Sequence, residues 1–300
     1  MKKPLILLHG ALGSESSLDS LKLVLADHFE LYSFNFSGHG RKSFSDEGFG
    51  IEIFAKELSA FISKNDLNQA DIFGYSMGGY VALYLASIKP GLIGSIVTLG
   101  TKFNWTPESA HAETSRMNPE IMKEKIPAYT DYLFEKHGQA WEELIYQTAG
   151  MMLELGESPL LNKETLSSIS IPVHIMRGDK DHMVTEEESK NASAALAHGT
   201  YISINDMPHA IAKVNATQLA EKDAELDKQL TLKSDFDALQ NKQSEWADAG
   251  ISVVNCIGDA YAPGSIAAAV WSGHRYAREM DEDKAIGVPF KRELIRLSAS

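Results

Sequence analysis

The chain has 300 residues, 44% of them apolar, which is enough to bury one large core or two modest ones and excludes a disordered or fibrous protein. The formal net charge of −13, from 41 acidic and 28 basic residues, argues against nucleic acid or an anionic membrane as partner, since both select basic surface. A single cysteine, Cys256, excludes an internal disulfide framework and fits the reducing cytoplasm.

The first predicted element is a core strand, Pro4 to Leu8. Its run after Met1-Lys2-Lys3 mimics a secretory leader but stops at His9-Gly10, too short for one. No run reaches the about 18 to 20 apolar residues of a membrane helix. Helical spacing follows from Leu18 to Phe29, then a strand from Glu30 to Phe36 and an amphipathic helix from Ile51 to Ile62. A strand from Ala70 to Phe73 and a helix from Tyr80 to Ser87 flank Gly74-Tyr75-Ser76-Met77-Gly78-Gly79. That hexapeptide has the form of a nucleophile elbow. A serine on so sharp a turn crowds the positions two before and two after it, and both are glycine. The turn lifts the hydroxyl clear of the sheet and aims the next backbone N–H groups at an incoming oxyanion.

A strand from Ile93 to Leu99 continues the alternation of strands with helices, which predicts a mostly parallel α/β sheet. Thr101 to about Ser168 breaks the pattern with helix formers, Met, Glu and aromatic residues, interrupted by Pro107, Pro119, Pro127 and Pro159. It is expected to form a helical cap, with Phe103, Trp105, Met117, Tyr129, Tyr132, Phe134, Trp141, Tyr146, Met151 and Met152 as candidates to line a pocket, most of them serving as the cap's own core. The strand from Ile171 to Met176 then leads into Arg177-Gly178-Asp179-Lys180-Asp181-His182, a helix spans Glu186 to Leu196, and a strand from Thr200 to Ile204 precedes Asn205-Asp206-Met207-Pro208-His209. A serine needs a histidine to take its proton and an acid to orient the imidazole, and each candidate lies in a loop leaving the carboxyl end of a strand. Asp179 and Asp181 both qualify as the acid by residue type. His28, His111, His137, His174 and His198 have no partner spacing and read as structural or solvated. No H-E-x-x-H, paired cysteines or carboxylate array suggests a metal.

Over about residues 1–220 the chain resembles the α/β-hydrolase family. The marks are Leu7-Leu8-His9-Gly10-Ala11-Leu12-Gly13, similar to its oxyanion loop, and Phe34-Asn35-Phe36-Ser37-Gly38-His39-Gly40-Arg41-Lys42-Ser43, similar to its D-x-x-G-x-G-x-S turn with Asn35 in place of Asp. The elbow, Gly178 to Asp181 and the late His209 complete the set. The resemblance implies an α/β-hydrolase fold with a cap at about 101–168, Ser76 as nucleophile, Asp181 as acid and His209 as base. It further implies an oxyanion hole formed by the N–H groups of Ala11 and Met77. Pro208 stands where the family has a small residue, which removes a backbone donor and stiffens the approach to His209.

Residues 221–300 are expected to hold a linker helix and a separate α/β fragment. Through Ser244-Glu245-Trp246-Ala247, Gly258-Asp259, Ser272 to Glu279 and Pro289-Phe290-Lys291-Arg292-Glu293, about residues 235–298 resemble the C-terminal part of trimethylamine-dehydrogenase-like NADH:flavin oxidoreductases. The chain has no G-x-G-x-x-G and no room for that family's barrel, so the stretch reads as an orphan fragment, from a gene fusion or an artificial join, without a bound flavin or dinucleotide.

The sequence thus predicts a cytoplasmic serine hydrolase of a small acyl ester or thioester that needs no cofactor or metal, binds neither nucleic acid nor membrane, and leaves its oligomeric state open. The alternative within the fold is a lyase of the menaquinone-pathway cyclohexadiene-carboxylate synthase kind, weakened because Tyr80 replaces the arginine after its elbow glycines. The alternative from another class is a flavin- or dinucleotide-binding module carried by the tail.

Overall fold

The computed structural model describes residues 2–211. The linker and flavoprotein-like fragment expected over 221–300 lie outside the described residues. Among the described residues six strands form one parallel sheet: β1 (Lys3–Leu8), β2 (Phe29–Ser33), β3 (Asp71–Tyr75), β4 (Ile96–Leu99), β5 (Val173–Gly178) and β6 (Gly199–Ile204). Their order is β2-β1-β3-β4-β5-β6. The chain moves outward from β1 to β2 and then crosses back to β3 on the other side of β1. The crevice where the order reverses therefore lies between the carboxyl ends of β1 and β3, where such sheets bind ligands.

Alternation along each strand feeds two cores. Ile6, Leu8, Ile72, Ile96, Val173 and Ile175 pack on one face with α2 (Ile51–Lys64) and α3 (Met77–Ile88). Leu5, Leu7, Phe73, Tyr75, Val97, Leu99 and Met176 pack on the other, against Leu21 and Leu25 of α1 (Asp19–Leu25). Burial on both faces explains why the strands read as continuous apolar runs. The single helix expected over Leu18–Phe29 is instead a 3₁₀ turn (Glu15–Leu18) followed by α1, and Phe29 joins β2.

The segment between β4 and β5, all of it among the described residues, holds five α-helices and no strand: α4 (Pro107–Thr114), α5 (Pro119–Lys125), α6 (Pro127–His137), α7 (Trp141–Glu157) and α8 (Lys163–Ser167). Three of the prolines open a helix at its first turn, where the missing N–H costs nothing. After β5, α9 (Glu186–Ala195) starts at a capping box in which Thr185 and Glu188 satisfy each other's free backbone donors. Among the described residues no helix is long and apolar enough to cross a membrane.

Candidate active site

Ser76 stands between β3 and α3 with φ 51° and ψ −115°, a strained conformation for a residue with a side chain. The surroundings hold it there. Its N–H donates to Leu99 O at 2.8 Å, and its own carbonyl accepts from Gly79 N at 3.1 Å and from the Thr101 hydroxyl at 2.9 Å. The flanking glycines are needed for space: a Cβ on Gly78 would stand 2.6 Å from Leu8 O, and one on Gly74 would collide with the backbone of Gly79. This crowding also starts α3 at Met77, three residues before the expected Tyr80.

The loop after β5 carries Asp181, whose side chain is almost fully buried. One carboxylate oxygen, Oδ1, accepts from Met183 N at 2.9 Å and Val184 N at 3.0 Å. The other, Oδ2, lies 2.7 Å from Nδ1 of His209. Burial pushes this carboxyl up, but the hydrogen bond and charge of His209, with the two backbone donors, more than offset it and leave the acid below the usual range. The Arg177 guanidinium ties the loop down through Asp181 O and Val184 O, at 2.9 and 2.7 Å. Asp179, its rival, is exposed.

His209 is carried on the turn after β6 and is steadied by Tyr75, whose hydroxyl donates to its carbonyl at 2.7 Å. Gly100 makes room for the pair: with φ +63° it needs no side chain, and a Cβ there would sit 3.2 Å from both Asp181 Oδ2 and His209 Nδ1. The structure brings Asp181 and His209 together beside the elbow. No hydrogen bond joins Ser76 Oγ to His209, a link that in many enzymes tightens only when substrate is bound.

Ala11 follows β1 and Met77 opens α3, and the N–H of neither is used by a protein acceptor among the described residues. Both residues line a slot that also holds Ser76, Tyr80, Lys102 and Trp105, with Ile51, Met151, Met152, Leu155 and Met183 around them. Its cavity volume is small, about 30 Å³. Of the residues expected to line a pocket, Trp105, Met151 and Met152 line this slot, and Phe103 lines a separate cavity with Asn104, Leu161 and Glu188. Trp141 belongs to the cap's own apolar cluster, and Phe134 and Tyr146 are exposed.

Two features of the site escaped the sequence reading. Lys102 brings an ammonium group to the slot and sets it over the Trp105 ring, 5.7 Å from the centroid, with Nζ donating to Met183 O at 3.1 Å and pairing with Glu113 at 3.5 Å. Beneath the loop carrying Ala11, His9 is fully buried, accepts from Phe36 N at 3.2 Å and is pushed down to about 4 by that burial, so it stays neutral as part of the floor. Tyr80, where the lyase pattern has an arginine, is likewise neutral, its hydroxyl pushed up to about 12 by burial. Among the described residues no group of three or more His, Cys, Asp or Glu side chains is arranged to hold a metal ion.

Known proteins share this architecture. A pimeloyl-[acyl-carrier protein] methyl ester esterase of Salmonella newport is 33% identical over 97 residues, covering 32% of this chain and 36% of that protein. A serine hydrolase-like protein of Homo sapiens is 29% identical over 100 residues, covering 33% and 49%. Each match thus spans less than half of the relative's length. Among solved structures, NosK from Streptomyces actuosus superposes with a TM-score of 0.66 at 16% identity, over 75% of this chain and 97% of that one. A thermophilic esterase from Thermogutta terrifontis gives 0.61 at 18% identity, over 76% and 90%. At such identities the likeness is one of fold. The family profile described as alpha/beta hydrolase fold matches residues 3–164, more than half of the sequence, and on that match the chain belongs to the α/β-hydrolase family.

Proposed function

We propose that this chain is a cytoplasmic serine hydrolase that cleaves a small acyl ester or thioester through an acyl-serine intermediate. The observation that carries the reading is the buried Asp181 paired with His209 beside a strained serine at the end of an apolar slot. Ser76 Oγ attacks the acyl carbonyl carbon while its proton passes to Nε2 of His209. Asp181 fixes the His209 tautomer with the proton on Nδ1 and stabilises the imidazolium that forms. The carbonyl oxygen, now an anion, accepts from Ala11 N–H and Met77 N–H, each such donor supplying about 3 kcal/mol to the transition state. The tetrahedral adduct collapses, the bond from carbon to the leaving oxygen or sulfur breaks, and His209 returns its proton to the departing alcohol or thiol. Water then attacks the acyl-serine by the same route in reverse, releasing the acid and restoring Ser76.

The small volume of the slot and its walls of Met151, Met152, Leu155 and Trp105 favour a short, mostly apolar acyl group. Rates across p-nitrophenyl esters and acyl thioesters from two to twelve carbons test this directly. Turnover is expected to peak at the short end, and no turnover of any ester or thioester would end the proposal.

A further inference from the structure

His137 closes α6, with Gly138 at φ +68° turning the chain away behind it. Its ring is 2% exposed and bridges two loops of the sheet domain. Gly40 N–H donates to Nδ1 at 3.0 Å, so Nδ1 is unprotonated, and Nε2 then carries the hydrogen and donates to Leu12 O, also at 3.0 Å. Leu12 directly follows Ala11 and has φ 57°, a left-handed conformation that a leucine adopts only when held. Its side chain is held by the same cap, packing against Met122, Leu133, Trp141 and Ile145. A few residues on, the Lys136 ammonium donates to Ser16 Oγ at 3.3 Å and the Arg41 guanidinium to Glu135 O at 2.9 Å.

We propose that His137 is a positioning residue, a clamp carried on the cap that sets the oxyanion loop by holding the Leu12 carbonyl and the Gly40 amide at once. The inference rests on the reading of Ala11 N–H as an oxyanion donor. The Leu12 carbonyl shares its peptide plane with Gly13 N–H, which donates to Gly10 O at 3.1 Å, and Gly10 O shares its plane with the Ala11 N–H, so holding Leu12 O also steadies the direction of the Ala11 N–H. The clamp works only with a neutral ring, because a proton on Nδ1 would face the Gly40 N–H and break that bond. The groups around the ring favour neutrality: burial lowers its proton affinity most, Lys136 lowers it further, and only the Leu12 carbonyl opposes them. His39, 6.1 Å away between ring centroids, is held well below the ordinary histidine range by its own burial, and neighbouring His9 is neutral. Lys42 acts on both of those rings, and Arg41 completes the positive side.

The test compares His137→Gln, whose amide supplies one acceptor and one donor at a similar separation, with His137→Leu, which supplies neither. With a short p-nitrophenyl ester, His137→Leu should lower kcat by about 10- to 100-fold with KM nearly unchanged, as expected of a misaimed catalytic group. His137→Gln should stay within about threefold of the wild type. Hydrogen–deuterium exchange over residues 9–14 should quicken in His137→Leu and not in His137→Gln, a readout that needs no substrate. Equal kcat and equal exchange in all three proteins would overturn the proposal, as would equal loss in both variants. Should His137→Leu fail to fold, His137→Asn, whose shorter side chain cannot reach both Gly40 N and Leu12 O, takes its place, and kcat and exchange equal to the wild type in that variant would overturn the proposal. Failure of the hydrolase reading would instead appear as no turnover by the wild type, with the exchange result still deciding the clamp.

Discussion

Asp181→Asn is the substitution whose effect follows most directly from the geometry. Asp181 Oδ1 is occupied by two backbone donors, Met183 N and Val184 N, while Oδ2 faces His209 Nδ1. An asparagine must therefore keep its oxygen toward the two N–H groups and turn its NH₂ toward His209. That amide donates to Nδ1, moves the ring hydrogen to Nε2, and leaves Nε2 unable to accept the Ser76 proton. The productive orientation, with the amide reversed, strands two buried backbone donors at about 1–3 kcal/mol each. The total of about 2–6 kcal/mol corresponds to a loss of roughly 30-fold to 2 × 10⁴-fold in kcat/KM. The assay is initial-rate hydrolysis of a short p-nitrophenyl ester by the wild type, Asp181→Asn and Asp179→Asn, with circular dichroism as the control for folding. Asp179 is exposed, so its variant should stay within about threefold of the wild type. An Asp181→Asn enzyme with near-normal rate, or an inactive Asp179→Asn, would refute the reasoning.

Gly79→Ala would drive a Cβ into Thr101 Oγ1 and to 3.0 Å from Gly74 O, displacing the hydroxyl that holds Ser76 O. The expected cost is about 2–4 kcal/mol, read as a fall of about 5–15 °C in Tm, and an unchanged melt would show that the elbow has slack enough for a methyl group. His9, held at about 4 in the fold against 6.5 unfolded, contributes stability that is complete above pH 6.5 and is lost as pH falls toward 4. That amounts to about 3 kcal/mol, so urea titrations should show a shallower acid decline for His9→Gln than for the wild type, and parallel declines would count against a neutral buried His9.

What was legible in the sequence was whatever local chemistry dictates. The glycines around Ser76 announce a crowded turn, and the apolar runs of β1, β3, β4 and β5 announce strands buried on both faces. Errors arose where distant groups decide a local matter. The second strand, expected to reach Phe36, ends at Ser33, because Phe36 N is taken by His9 and Ser37 N by Glu57 rather than by a neighbouring strand. The choice between Asp179 and Asp181 could not be made from residue type alone. It turns on which carboxylate is buried beside His209, a residue 28 positions away in the chain. His137 reads in the sequence only as structural or solvated, since Leu12, its partner, lies 125 positions earlier. Lys102 gave no signal because its place in the slot depends on Trp105, Glu113 and Met183 folding around it.

The central claim is that Ser76 is the nucleophile, and covalent capture tests it most directly. Full-length protein treated with a fluorophosphonate and followed by intact mass and peptide mapping should gain one adduct, on Ser76, in step with loss of esterase activity, and Ser76→Ala should gain none. An adduct on another residue, or ester turnover retained by a folded Ser76→Ala protein, would contradict the account.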